Sequence, residues 1–238
     1  MENRGTILIT GGSGYIGSHT AVDLLQKGFD VISVDNLSRS KPFVSDRIKT
    51  ITEKNFIHYR IDCRDHAKLR SIIATHPEIT GIIHFAAFKS VSESVKIPLI
   101  YYDNNINSTI NLLRIAEEFS IKNFVFSSSC SVYGNTTELP VKEETPVSTP
   151  ESPYGWTKLI SEQVIESHAK NSPANFISLR YFNPAGAHES GLIGEIPFGD
   201  PENLVPAITQ TAIGKREKII VHGCDYPTKD GTCIRDYI

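Results

Sequence analysis

Short apolar runs alternate with stretches of helical periodicity through the first 180 residues. Residues 6–10, 30–35, 56–61, 81–87, 122–127 and 175–180 are compact apolar runs of strand length. Between them, 15–27, 44–52, 66–75, 98–119 and 153–169 repeat apolar positions at helical spacing. Asp65 and Ser152 stand where N-caps are needed, and Pro153 suits a first helical turn. Runs apolar along their whole length, joined by helical crossovers, predict a doubly wound parallel sheet of the α/β class. A polar, Pro-rich loop over 135–152 interrupts the rhythm, and beyond Tyr181 the texture turns Gly- and Pro-rich. A helix over 204–214, a short strand over 218–222 and turns over 223–231 are expected there.

The junction of the first strand and helix carries Gly11, Gly14 and Gly17 in the spacing GxxGxxG. A bend without side chains lets backbone amides and a helix N-terminus approach a pyrophosphate. A glycine cluster alone also fits a tight turn with close helix packing; its place between strand and helix favours a nucleotide. Asp35 ends the second apolar run, where a carboxylate can bind a ribose diol. That carboxylate would repel a 2'-phosphate, which favours NAD over NADP, with Arg39 the nearby cation that works against the preference. Two alanines, Ala86 and Ala87, close the fourth run and suit either a large neighbour or strand-to-helix packing.

Composition narrows the classes. With 24 basic and 27 acidic residues, the net charge of -3 gives no sign of a nucleic-acid groove or polybasic membrane patch. No uncharged stretch reaches membrane-spanning length, and the N-terminus leaves no room for an export signal, so a cytoplasmic protein is expected. Cys63, Cys130, Cys224 and Cys233 have no metal-ligand spacing and are expected as reduced thiols; no metal site is expected.

Tyr154 and Lys158 stand four apart at the start of a helix and share a face. A phenol near its ordinary pKa of about 10 is a poor base at neutral pH. A neighbouring ammonium and a cationic nicotinamide would lower it. Ser129, at the end of the fifth run, completes a candidate triad that could relay a proton. A surface tyrosine beside a lysine is the commoner origin of such a pair; the upstream glycine turn favours the catalytic one. Together they point to NAD-dependent oxidation of a secondary alcohol, or to an isomerisation in which the cofactor is used twice at one carbon. Asparagines 104, 105, 107 and 111 crowd the long helix. Asn104 or Asn107 is expected to meet a ligand and the rest to face solvent.

Several longer matches carry a resemblance. They are Thr10–His19, Asp35–Leu37, His84–Ala87, Tyr101–Asn105, Phe126–Ser129 with Val132–Gly134, Ser152–Gly155, Arg180–Pro184, and Asp225–Thr228 with Arg235–Tyr237. In this order they resemble the UDP-glucose 4-epimerases of the extended short-chain dehydrogenase/reductase family. The resemblance implies a Rossmann-type NAD-binding domain over 1–180 and a nucleotide-sugar lobe over 181–238 that is incomplete, because family members run further. It implies Ser129, Tyr154 and Lys158 as the catalytic triad. It also implies a cofactor site of Gly11, Gly14, Tyr15, Ile16, Gly17, Asp35, Asn36, Asp62, Cys63, Phe85, Ala86, Lys89, Asn104 and Tyr181 with Tyr154 and Lys158. Asn183, Asn203, Leu204 and Arg235 would hold the UDP part beside Ser129 and Tyr154, with Arg235 on the diphosphate. Arg180 is expected as a structural ion partner. The implied reaction interconverts UDP-glucose and UDP-galactose through transient oxidation at C4, in a homodimer built on helices 98–119 and 153–170. Other UDP-sugar epimerases, reductases and a shortened, non-catalytic nucleotide-binding protein are the alternatives. The related 4,6-dehydratases carry an Asp-Glu pair after the strand-five hydroxyl, where this chain has Cys130 and Ser131, which disfavours dehydration.

Overall fold

The computed structural model describes residues 4–221 and 223–238. Six parallel strands form one sheet in the order β3-β2-β1-β4-β5-β6. They are β1 (Thr6–Thr10), β2 (Asp30–Val34), β3 (Ile57–Tyr59), β4 (Ile79–His84), β5 (Asn123–Ser129) and β6 (Asn175–Tyr181). The predicted doubly wound sheet is therefore the one observed. Alternation along each strand divides the core in two. Ile9 and Val31 pack under α1 (Tyr15–Gln26) and α2 (Phe43–Thr52). Leu8, Ile32 and Phe124 pack under α3 (His66–Ala74), α5 (Pro98–Glu118) and α6 (Pro153–Ala169). Strand order reverses between β1 and β4, which opens a crevice at their carboxyl ends.

The two expected caps form. Asp65 accepts from the Lys68 amide, and Ser152 accepts from the Gly155 amide with Pro153 in the first turn. One helix, α4 (Val91–Lys96), was not expected. Its signal was present as Ser90-Val91-Ser92-Glu93, and Ser90 accepts from the Glu93 amide as a capping box does. The fourth strand ends at His84 and not at Ala87, because the chain turns off the sheet once the Phe85 amide has bonded to Thr10. The last helix, α7 (Leu204–Ala212), stops short of Gly214, whose positive φ of 73° ends it. The strand expected over 218–222 does not form over 218–221, where Ile219, Ile220 and Val221 are exposed and pair with no strand; His222 lies outside the described residues. An apolar run is a strand only where a ladder partner meets it. Instead, residues 236–238 bond back to 183–185, with Tyr237 bridged in parallel to Asn183.

Candidate active site

The glycine turn is shaped by what cannot fit there. Gly11 has φ of 74°, and a Cβ on it would lie 2.7 Å from the Ala86 amide nitrogen. A Cβ on Gly17 would lie 2.2 Å from the Gly11 carbonyl oxygen. Of the two readings of the alanine turn after β4, the close contact of Ala86 with Gly11 fits strand-to-helix packing. The N-cap of α1 is Gly14, which gives the first helical amides no side-chain partner, and the buried Ser13 hydroxyl has none either. Unpartnered donors beside a backbone with no room for Cβ atoms fit an anion such as a pyrophosphate. Tyr15 and Ile16 begin the helix behind them.

Asp35 lies at the tip of β2, buried, and its carboxylate is oriented by this turn. It accepts from the Ser13 amide (3.1 Å), the Leu37 amide (2.8 Å) and the Ser40 hydroxyl (2.9 Å). Asn36 donates to Asp62 at 3.0 Å, and Arg64 grips the same carboxylate, holding Asp62 down at about 2. Cys63 turns its thiol into the core toward Thr10, where burial pushes it up to about 12. Arg39 is committed elsewhere: it binds Glu93 with both carboxylate oxygens (2.8 and 2.9 Å) between the rings of Phe88 and Phe198. A small cleft lies here, between Ser13, Tyr15, Arg39, Ser40 and Ile193; it does not reach Tyr154.

Residues 186–203 cross this end of the crevice. Tyr15 donates to the Gly186 carbonyl (2.8 Å), Arg47 donates to the Leu192 carbonyl (2.8 Å), and Ile193 is buried against α1 and α2. Glu195 receives Lys89 (2.9 Å) and Asn203 (2.5 Å) together. Two residues assigned from sequence to different ligands therefore meet on one carboxylate.

At the other end, β5 delivers Ser127, Ser128 and Ser129 to the crevice, and the register sets Ser129 opposite Tyr181. The Ser129 oxygen accepts from the Ser131 amide (3.2 Å) and the Ser131 hydroxyl (3.0 Å). Lys158 is buried; its ammonium donates to the Ser127 carbonyl (2.6 Å) and lies 4.9 Å over the Phe126 ring and 5.9 Å from the Tyr154 ring. The three side chains singled out from sequence thus lie near one another, and burial dominates their electrostatics. Burial pushes the Tyr154 phenol up to about 12, with the nearby Ser129 hydroxyl working against it. Burial also brings Lys158 down to about 8, with Glu162 opposing. The i, i+4 spacing brings the ammonium near the phenol ring, yet burial still leaves the phenol above its ordinary value.

Other expectations on α5 divide. Asn104 is buried and donates to Asn105 (3.0 Å), whereas Asn107 is exposed and bonds Asp103 (2.7 Å), facing away from the crevice. Asn105 and Asn111, expected in solvent, are buried. Asn105 ties the Phe88 backbone (2.8 and 3.0 Å) to Thr157 (2.9 Å), and Asn111 caps the Cys63 and Arg64 carbonyls. Phe85 and Ala86 follow β4 beside Gly11. Asn183 is bonded to the Asp236 carbonyl (2.8 Å), Leu204 is exposed at the start of α7, and Arg235 is exposed with its charge felt at Cys130. As expected, Arg180 is a structural partner: it grips Glu162 with two nitrogens (3.1 and 2.8 Å) and donates to the Tyr133 hydroxyl (2.9 Å).

The family described as GDP-mannose 4,6 dehydratase matches residues 8–238. A UDP-glucose 4-epimerase of Schizosaccharomyces pombe is 49% identical over 99% of this chain and 67% of its own length. The bifunctional protein GAL10 of Pachysolen tannophilus is 49% identical over 98% of this chain and 34% of its own. The solved UDP-glucose 4-epimerase of Bifidobacterium longum, in complex with NAD+ and UDP, is 47% identical and superposes with a TM-score of 0.94, over 98% of this chain and 70% of that one. The chain belongs to the UDP-glucose 4-epimerase family. It is a branch of the extended group that the broader dehydratase description covers, and Cys130 and Ser131 after Ser129 agree with the epimerase branch. Sequence reasoning about this epimerase-family chain missed Ser128, Glu162 and Asn105. Glu162 alone left a signal, four residues beyond Lys158 on the same helix face.

Proposed function

We propose that this chain interconverts UDP-glucose and UDP-galactose by transient oxidation of the hexose at C4, with NAD as a resident cofactor. The observation that carries the reading is the gathering of Ser129, the Tyr154 phenol and the buried Lys158 ammonium at the tip of β5. The cradle at Gly11, Gly14 and Gly17, with the partnerless Ser13 hydroxyl, fits a dinucleotide pyrophosphate, and Asp35 is oriented to accept a ribose diol. Arg39, already bound to Glu93, does not offer itself to a 2'-phosphate, which supports NAD over NADP. When bound, the dinucleotide supplies a hydride acceptor and donor.

The chain's own part is proton handling and grip. Tyr154 takes the C4 hydroxyl proton, directly or through Ser129, and later returns it. A phenol held at about 12 needs added positive charge to do this, and the buried Lys158 ammonium is the protein's contribution to that field. Asn183, Asn203, Leu204 and Arg235 belong to the lobe over 181–238 that grips UDP. In the catalytic state Asn203 and Lys89 exchange Glu195 for ligand. Holding the diphosphate while leaving the sugar free lets the 4-keto hexose turn between its two faces, a use of remote binding energy.

The test is to mix the purified chain with UDP-galactose, without added NAD, and follow UDP-glucose by NMR. Product supports the proposal. A folded, NAD-loaded sample that makes none overturns it in favour of a nucleotide-binding protein without turnover. UDP-N-acetylglucosamine run in parallel resolves the substrate, since a UDP-Glc/GlcNAc 4-epimerase of Campylobacter jejuni is 35% identical with a TM-score of 0.80.

A further inference from the structure

One buried carboxylate near the triad is unused by the chemistry above. Glu162 sits one helical turn beyond Lys158 on α6, with only 11% of its side chain exposed. Three elements converge on it. From β5, Ser128 donates its hydroxyl to Oε1. From β6, Arg180 binds both oxygens, at 3.1 and 2.8 Å. The same guanidinium lies 4.8 Å over the Tyr133 ring and donates to its hydroxyl, so the turn that follows Ser129 is fastened to the same node. Register strengthens the point: Ser128 pairs with Arg180 across the β5–β6 ladder, and Ser129 with Tyr181 beside them.

We propose that Glu162 is a positioning residue of this site: it is the counter-charge that keeps buried Lys158 an ammonium, and it fastens the strand tip that presents Ser129. The inference rests on the catalytic reading for its consequence, not for its geometry. Among the described residues, the other groups named around Lys158 are uncharged. From β4 there is His84, uncharged between Thr10 and Thr109. From β5 come the Ser127 carbonyl and the Phe126 ring, and from α6 itself the Tyr154 ring. On α5, Asn105 and Thr109 are tied to Thr157 and Ser161. Glu162 is the charge that acts on Lys158, opposing the burial that brings the amine down to about 8. Arg180 stands on the far side of Glu162 and draws on the same carboxylate, so the three form a row of alternating sign.

The arrangement predicts changes of opposite sign. In the whole chain carrying 13C-labelled lysine side chains, the Lys158 signal, identified by its loss in Lys158→Arg, is titrated by NMR. Glu162→Gln should move its midpoint down by about one pH unit, the size a close opposite charge imposes. Glu162→Asp should restore most of the shift. Arg180→Gln, which frees the carboxylate from its rival cation, should move the midpoint up. A general loosening of the fold would move both the Gln variants toward the ordinary lysine value, that is, both upward, and would overturn the proposal. An unmoved midpoint in Glu162→Gln would do the same, and if that variant does not fold, failure of Arg180→Gln to raise the midpoint overturns it. Because the readout is an amine titration, it holds even if the chain turns over no UDP-galactose. Where turnover is present, the alkaline limb of kcat should follow the Lys158 midpoint in each variant.

Discussion

The two ends of the crevice solve opposite problems. At the glycine end the protein makes room: Gly11 and Gly17 are in contact with backbone where a methyl would collide, and the charges nearby are partly open to solvent. At the serine end it buries charge: Lys158 and Glu162 have little water around them, with Arg180 partly exposed at their edge. Changes at the first end should act through volume. Those at the second should act through charge and proton affinity, because the same charge weighs more where water cannot screen it.

The sharpest test of the closed end is Tyr154→Phe. It should lower turnover by roughly 10²–10⁴-fold, the usual weight of a positioned acid–base group, with NAD binding and Tm unchanged. A variant of near-normal rate would remove Tyr154 from the chemistry. Next in size is a pH effect from His84, which links β4 to β1 and α5 and which burial depresses to about 3. Its unfolded value is near 6.5, so between about 6.5 and 3 the unfolded chain binds the extra proton. The stability that neutral His84 permits is therefore complete above pH 6.5 and drains away as pH falls toward 3, by roughly 5 kcal/mol in all. Urea melts at pH 7 and pH 5 should show the slope, and His84→Gln should flatten it.

At the open end, Gly17→Ala should cost about 1–3 kcal/mol, since its Cβ would meet the Gly11 carbonyl and not a yielding side chain. Calorimetry reads that loss, and NAD affinity should fall with it; an Ala variant that binds NAD normally would show the cradle to be slack. Asp62→Asn should do least. The carboxylate is ion-paired and held at about 2, but it is partly exposed, and its neighbour Arg64 has Asp103 as a second partner. A change within about 1 kcal/mol at pH 7 is expected, with the contribution lost only as pH falls through about 2. A larger effect would mean that the two ends are electrostatically alike.

Legibility followed the range of the interaction involved. The caps at Asp65 and Ser152 and the glycine turn were readable because each is a bond between residues a few positions apart. Helix α4 was equally local and was missed only because its Ser90–Glu93 box was passed over. The strand expected from Lys218 onward failed for the opposite reason: its apolar residues are real, but no neighbouring strand meets them among the described residues. Asparagines on α5 show the same divide. Nothing in their spacing tells Asn107, paired outward with Asp103, from Asn105, locked between the Phe88 backbone and Thr157.

Taken alone, the chain's order of residues determined the parallel α/β class and the place of the glycine turn, and it singled out Ser129, Tyr154 and Lys158 as candidates, because strand length, helical period and glycine conformation are local properties. Only the folded arrangement decided what those three side chains experience. Burial depends on which surfaces meet across the sheet, and it holds the phenol at about 12 and the amine at about 8. The same meeting of β5, β6 and α6 sets Glu162 between Lys158 and Arg180, a charge balance that no spacing along the chain can specify.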